Sequence, residues 1–288
     1  MSLEQAEQVL REVRSQGVIE ILVLSGEVHP RSSRRSAWFQ RIYDLCELAL
    51  RLGFLPHTNV GPLSREEMAQ LKQVNVSMGL MLEQVTPALM ETVHRHAPSK
   101  QPEWRIQQLR WAGELQIPFT TGLLLGIGET EPDWVNTLET IVQLHRQWGH
   151  IQEVILQPHS PGTAQDLHET AFPIAKLVHV ITIARQILPP DITLQIPPNL
   201  IPTSHQLLAC LNAGARDLGG IGLKDEVNPD YPHPYDAELA QTLKQAGWQL
   251  CPRLPIYPQY DRWLPTPLQK SVKQWRQKLH PFTQPAPC

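Results

Sequence analysis

The chain has 288 residues, 41% of them hydrophobic and 18% charged, with a formal net charge of −3. That is the composition of an ordinary globular chain, and the near-neutral charge leaves no basic footprint for nucleic acid or an anionic membrane surface. No continuous apolar run approaches the roughly 20 residues that cross a bilayer, and the early acids Glu4 and Glu7 do not suit a secretory leader, so a cytoplasmic protein acting on small molecules is expected.

The chain opens on a helix, with Ser2 as cap, Gln5 three residues on, and Leu3, Ala6, Val9, Leu10 and Val13 on one face. Short apolar runs then alternate with segments of helical period. The strands are expected at Ile19–Leu24, Phe54–Thr58, Val76–Leu82, Phe119–Leu125, Val154–Gln157, Ile192–Ile196 and, more weakly, Ala215–Gly219. The helices between them are expected at Phe39–Leu52, Pro62–Gln73, Glu103–Leu115, Asp133–Trp148, Ile174–Leu188 and Ser204–Ala213. This order predicts an α/β fold, either a (β/α) barrel of the TIM type over residues 1–260 or an open seven-stranded sheet. A proline-rich tail over 261–288 is expected to be a loose wrap or disordered.

Six apolar runs in succession end in polar groups, which is where a barrel places its catalytic face and which favours the barrel over the open sheet. They are Ser25-Gly26-Glu27, His57-Thr58-Asn59, Glu83, Glu129, Gln157 with His159, and Gln195 with Asn199. Any one of these could be a polar loop residue or a helix cap; the recurrence points to a site. The run from Gly122 to Glu129 lets backbone approach a ligand but matches no phosphate-binding fingerprint. Pro197 and Pro198 stiffen the exit between Gln195 and Asn199. His159 is an acid–base candidate by position, with loop ordering an equal alternative. His94 and His96, two apart on an expected helix, point to different faces and give no metal site. The helical tryptophans Trp38, Trp104, Trp134, Trp148 and Trp248 suit packing.

Cys46, Cys210, Cys251 and Cys288 are far apart and form no metal or cluster motif; Cys46 lies in an apolar helix as a structural thiol, and Cys288 ends the tail.

Longer runs carry a family resemblance over nearly the whole chain. They are residues 53–59, 75–83, 117–129, 149–154 and 188–200, followed by Gly219-Gly220-Ile221, Val227-Asn228-Pro229 and Arg253-Leu254-Pro255-Ile256-Tyr257. In these the chain resembles subunit 1 of FO synthase, the family of radical S-adenosylmethionine (SAM) enzymes that make 7,8-didemethyl-8-hydroxy-5-deazariboflavin. The resemblance implies a radical SAM barrel, a lyase that uses a 4Fe–4S cluster and SAM. It also implies a substrate formed as a hydroxybenzyl adduct of a ribitylamino-uracil, closed to the deazaflavin with loss of ammonia, and a second synthase subunit that makes this adduct. Carried onto this sequence, Ser25, Gly26 and Glu27 receive the SAM amino group, Glu83 and Glu129 are further SAM ligands, and His57, Asn59, Gln157, Gln195 and Asn199 face the substrate.

The family's C-x-x-x-C-x-x-C loop and the strand before it have no counterpart here, and the four cysteines cannot replace it. The chain taken by itself is therefore expected to be inactive, with Met1 inside or just before the first helix of a longer enzyme, or else a decayed gene. A barrel without its first strand is also expected to self-associate through its open edges. A barrel that keeps ligand binding without chemistry, or a radical-free lyase using Glu129, His159 or His57, are the alternatives. Anaerobic reconstitution with iron and sulfide discriminates among them. Cluster absorbance and deoxyadenosine release are expected only from a form extended upstream to the previous in-frame start; turnover in air without iron would favour the radical-free lyase.

Overall fold

The computed structural model describes residues 1–162, 170–222 and 229–279; Val227, Asn228 and the tail from His280 to Cys288 lie outside the described residues. Six strands form one all-parallel sheet in the order of the chain: β1 (Glu20–Leu24), β2 (Leu55–Asn59), β3 (Ser77–Gly79), β4 (Phe119–Leu125), β5 (Ile151–Pro158) and β6 (Thr193–Gln195). Sequential order without a reversal is barrel order; a doubly wound sheet would switch direction part-way. The sheet also curls. Glu20, at the start of β1, feels the charges of Arg253 and Asp217, which sit beside β5 and beyond β6. These are the strands of a (β/α) barrel.

The helices are α1 (Leu3–Arg14), α2 (Arg35–Arg51), α3 (Arg65–Leu71), α4 (Pro102–Glu114), α5 (Glu131–Trp148), α6 (Ile174–Ile187), α7 (Ser204–Ala213), α8 (Asp236–Gln245) and α9 (Thr266–Leu279). The expected cap of α1 is present: Gln5 N donates to Ser2 Oγ at 3.2 Å and Ser2 N to Gln5 Oε1 at 2.7 Å. Among the described residues no helix is long and apolar enough to cross a membrane.

Strand alternation divides the sheet into two faces. Phe119, Leu123 and Leu125 on β4, Val154 and Leu156 on β5 and Leu194 on β6 belong to the core shared with the helices. Thr120 and Gly122, then Glu153, Ile155 and Gln157, then Thr193 and Gln195, consequently face the lumen. On β2 the side chain of Thr58 meets Cys46 of α2, leaving His57 and Asn59 for the lumen. Burial pushes the Cys46 thiol pKa up, as suits a structural cysteine.

Three expectations change. The strand over Ala215–Gly219 is reduced to a single bridge, Gln195 with Asp217. Asp217 Oδ1 accepts from Gly219 N at 2.7 Å, and Gly219 turns the chain at φ 73°, so a tight turn replaces continued pairing. The segment after Tyr260 does not wrap loosely as far as Leu279, because most of it is α9, with Leu268 and Val272 buried. Those side chains pack with Leu55, Val76, Leu254, Ile256 and Tyr260 beneath the first residues of β2 and β3. Pro265 and Pro267 fall at the start of that helix, where proline is tolerated, so they mark a beginning rather than disorder. Trp104, expected to pack, is 62% exposed.

The segment Arg253–Tyr257 closes the lower mouth of the barrel. Pro255 O accepts from Ser77 Oγ at 2.5 Å and from Gln152 Nε2 at 3.1 Å. Arg253 pairs with both Glu153 and Asp217, and Tyr257 OH donates to the same two carboxylates at 3.1 and 3.0 Å. Arg253→Met would leave two buried carboxylates without their cation, which is expected to cost about 3 kcal/mol. Urea unfolding checks this; a midpoint unchanged from the parent would show that the ion pairs do not hold the floor.

Candidate functional site at the strand ends

Two strand exits meet through charge. Glu83 follows β3 in a left-handed conformation, φ 64°, that a non-glycine residue adopts only when its surroundings hold it there. Its carboxylate pairs with Lys100, lies 3.2 Å from His94 Nε2, and is 3.4 Å from Arg105 Nη1. Arg105 also bonds the carbonyls of Met81 and Ser99 and comes within 3.6 Å of Glu27, on the exit of β1. Burial alone would raise the Glu83 pKa, but His94, Arg105 and Lys100 outweigh it and hold the carboxyl at about 2. His94 and His96 lie in turns, not on the helix expected, and His94 serves this carboxylate.

Ser25 and Glu27 are placed by β1 and α2. Trp38 Nε1 donates to Ser25 Oγ at 2.8 Å, and Gly61, at φ 82°, leaves the space that the Glu27 side chain fills, where a Cβ would collide with it. Gly26 is exposed. Glu129 is turned inward on its own loop, accepting from Gly126 N at 2.7 Å, Ile127 N at 2.8 Å and Trp134 Nε1 at 3.0 Å. The structure therefore gives it the work of shaping the β4 exit.

Below the rim the lumen is lined by buried polar side chains. His57 Nδ1 donates to Ser77 Oγ at 2.7 Å, since the Ser77 hydroxyl gives its own proton to Pro255 O, while its Nε2 lies beside Gly79, whose Cβ would come within 2.9 Å of it. Burial, with the charge of Arg253, lowers the His57 pKa to about 3, so the imidazole is neutral throughout the physiological range. Gly122 likewise has no room for a Cβ, which would meet the Ile155 carbonyl and stand 2.8 Å from Met81 Cε. Gln195 packs against Gly219, and Asn199 Nδ2 donates to Tyr231 O at 2.9 Å. His159 sits at the exit of β5, its amide bonded to Leu125 O at 2.8 Å, beside Gly126. Asn59 and Gln157 are half-buried on lumen-facing positions of β2 and β5. The strand ends thus bring together the candidates read from the sequence, with Glu129 and Asn199 engaged by their own loops. Lys100, Arg105, Glu153, Asp217 and Arg253 were not singled out as site residues, although Glu153 and Arg253 lie within recognised runs.

Comparison with known proteins places this arrangement. The profile of the Radical SAM superfamily matches residues 1–141. A 7,8-didemethyl-8-hydroxy-5-deazariboflavin synthase of Trichormus variabilis is 66% identical over 277 residues, covering 96% of this chain and 82% of the relative. The chain belongs to the FO synthase family. The synthase of Trichodesmium erythraeum is 61% identical over 97% of this chain and 88% of its own length. Among solved structures, HydG, a maturase of FeFe-hydrogenase, superposes with a TM-score of 0.73 at 14% identity over 96% of this chain and 62% of its own. Methylornithine synthase follows with a TM-score of 0.63 at 12% identity over 88% of this chain and 74% of its own; at these identities both speak for the fold alone.

FO synthases are enzymes of the radical SAM class, whose members use a 4Fe–4S cluster with SAM. The rim fits SAM: carboxylates at Glu27 and Glu83 with cations at Lys100 and Arg105 suit a zwitterionic amino acid group, and Gly61 leaves Glu27 its place. The cluster is not accommodated by the described residues. Cys46 and Cys210 are buried on separate helices, Cys251 precedes the floor segment, and no three metal-ligating side chains converge among the described residues.

The depressed Glu83 pKa makes a pH prediction. The charged carboxylate is favoured in the folded state, so its stabilisation is complete above pH 4.5 and is lost as pH falls towards 2. The size is about 3 kcal/mol. Glu83→Gln is expected to flatten the acid limb of stability against pH relative to the parent; parallel curves between pH 5 and 2.5 would show that Glu83 carries no such linkage.

Proposed function

We propose that this chain supplies the SAM- and substrate-binding barrel of the FO synthase reaction, in which the hydroxybenzyl adduct of a ribitylamino-uracil is closed to the deazaflavin with loss of ammonia and with SAM as cofactor. What supports the reading is 66% identity over 96% of the chain to a named synthase, together with a polar lumen beneath a charged rim. SAM, when bound, supplies the adenosyl group from which the hydrogen-abstracting radical of this class arises. The described residues offer no ligand set for the cluster, and no residue among them is assigned to it.

The chain's own side chains then have separable tasks. Ser25 and Glu27 accept hydrogen bonds from the SAM ammonium, while Glu83 keeps Lys100 and Arg105 in place beside it. His57, neutral and fixed by Ser77, presents one uncharged ring nitrogen to the uracil. Asn59, Gln157 and Gln195 serve its remaining polar edges and the ribityl hydroxyls, and Asn199 orders the β6 exit through Tyr231. His159 is the group placed to give a proton to the departing amine. The closed floor keeps water from entering beneath the substrate. The adduct is supplied by the second synthase subunit.

Equilibrium binding with the ribitylamino-uracil and with its hydroxybenzyl adduct tests the assignment. The purified chain is expected to bind the adduct more tightly than the uracil alone, and His57→Leu to weaken both by about tenfold through loss of one buried hydrogen bond. No binding of either compound would sink the reading.

A further inference from the structure

Glu27 belongs to an exposed stretch, yet a carboxylate can fix a ligand only if its own backbone is fixed. The loop's anchors lie outside it, on α2 and α3. Arg35 binds Glu67 through two parallel bonds, Nε to Oε1 at 2.7 Å and Nη2 to Oε2 at 2.5 Å. Its remaining donors go to backbone: Nη1 to Val28 O at 2.6 Å, on the loop after β1, and Nη2 to Pro62 O at 3.0 Å, on the loop after β2. One guanidinium therefore ties the two neighbouring strand exits together. The ion pair is largely withdrawn from water, with side chains 11% and 16% exposed, and only the planar fork of arginine can make all four bonds at once.

The chain of contacts continues to Ser25 and Gly26. The guanidinium carbon of Arg35 lies 4.3 Å from the centroid of the Trp38 ring, and Trp38 Nε1 donates to Ser25 Oγ at 2.8 Å and to Gly26 O at 3.1 Å. From the opposite side the absent side chain of Gly61 admits Glu27. Helix termination does not require these bonds of Arg35. The α3 cap is satisfied by Ser64 and Glu67, and the residue that caps α2, Arg34, makes no side-chain bond.

We propose that Arg35, acting through Trp38 and Glu67, is the positioning residue that fixes the Ser25-Gly26-Glu27 loop for the SAM amino group, an inference that rests on the SAM site proposed above. It touches neither SAM nor substrate. Its effect is on the loop's freedom, and so on SAM affinity.

Labelled SAM in equilibrium dialysis and amide exchange over residues 25–28 test it on the purified full chain. Trp38→Phe removes only the donor and keeps a ring beneath Arg35; it is expected to speed exchange in this stretch and weaken SAM binding by about three- to tenfold. Arg35→Met is expected to do both more strongly, and Arg35→Lys to recover part of the affinity. Glu27→Gln is expected to weaken SAM binding without faster exchange. Faster exchange in Trp38→Phe with parental SAM affinity, alongside weakened binding in Glu27→Gln, would overturn the positioning role and leave the SAM site standing. Unchanged affinity in Glu27→Gln would remove the SAM site and the positioning role with it.

Discussion

A single guanidinium holds two carboxylates at the lower end of the lumen, and the closure of the barrel depends on that arrangement. Arg253 comes from a segment without regular structure, yet it reaches both Glu153 on β5 and Asp217 beyond β6. Burial makes each charge costly by itself, and the three are tolerable only together. The consequences are visible in their titration. Burial with Asp217 nearby, against the opposing Arg253, pushes Glu153 up to about 7, whereas Arg253 overcomes burial and holds Asp217 below its ordinary value. Tyr257, kept protonated by burial and the two carboxylates, donates to both. The pieces that look peripheral in the chain, residues 253–257 and α9, are thus what give the lumen a bottom: Arg276 of α9 bonds Ile256 O at 2.9 Å and Asp261 at 2.7 Å, pressing the segment against the strands.

The floor charge also reaches His57 one layer higher. The imidazole is buried and close enough to Arg253 that protonation is disfavoured twice. A neutral ring with one nitrogen committed to Ser77 can offer its other nitrogen to an uncharged heterocycle, and it would be a poor partner for an anion. The rim has the opposite character, where Glu27, Glu83, Lys100 and Arg105 create paired full charges around the exits of β1 and β3. The lumen is therefore layered from ionic floor to neutral waist to ionic rim. Under the function proposed above, such layering would sort a zwitterionic cofactor from a polar, uncharged substrate by electrostatics before shape is considered.

Most of the scaffold was legible because its signals are local. Phe119–Leu125 and Ser204–Ala213 are found as expected, and Ser2 and Gln5 form their capping box, since apolar period and capping chemistry are written within a few neighbouring residues. Helix α9 was hidden because its buried residues are only Leu268 and Val272, with prolines at its start that read as disorder. Helix α8 has the same weakness, with Leu239 and Leu243 as its buried pair. At the site, the strand-end rule located Glu83, Glu27 and His57 but could not say which partners they meet. The 3.4 Å approach of Arg105 to Glu83 joins residues 22 positions apart, and the Arg253–Glu153 pair joins residues 100 apart, distances over which no periodicity speaks.

Glu129 shows how two acids that satisfy the same rule can differ in their surroundings. It ends its strand run as Glu83 does, but the two carboxylates face different donors. The loop around Glu129 is rich in glycine, and Gly126 and Gly128 take positive φ, so the backbone amides of Gly126 and Ile127 turn towards its carboxylate and occupy it. Glu83 has no such loop; its own backbone adopts the left-handed conformation instead, and its donors are the side chains of His94, Lys100 and Arg105. Backbone amides fix a loop, whereas side-chain cations can be shared between a carboxylate and an incoming polar group. Of two strand-end acids alike in sequence, the one surrounded by side-chain donors is the one suited to a binding site.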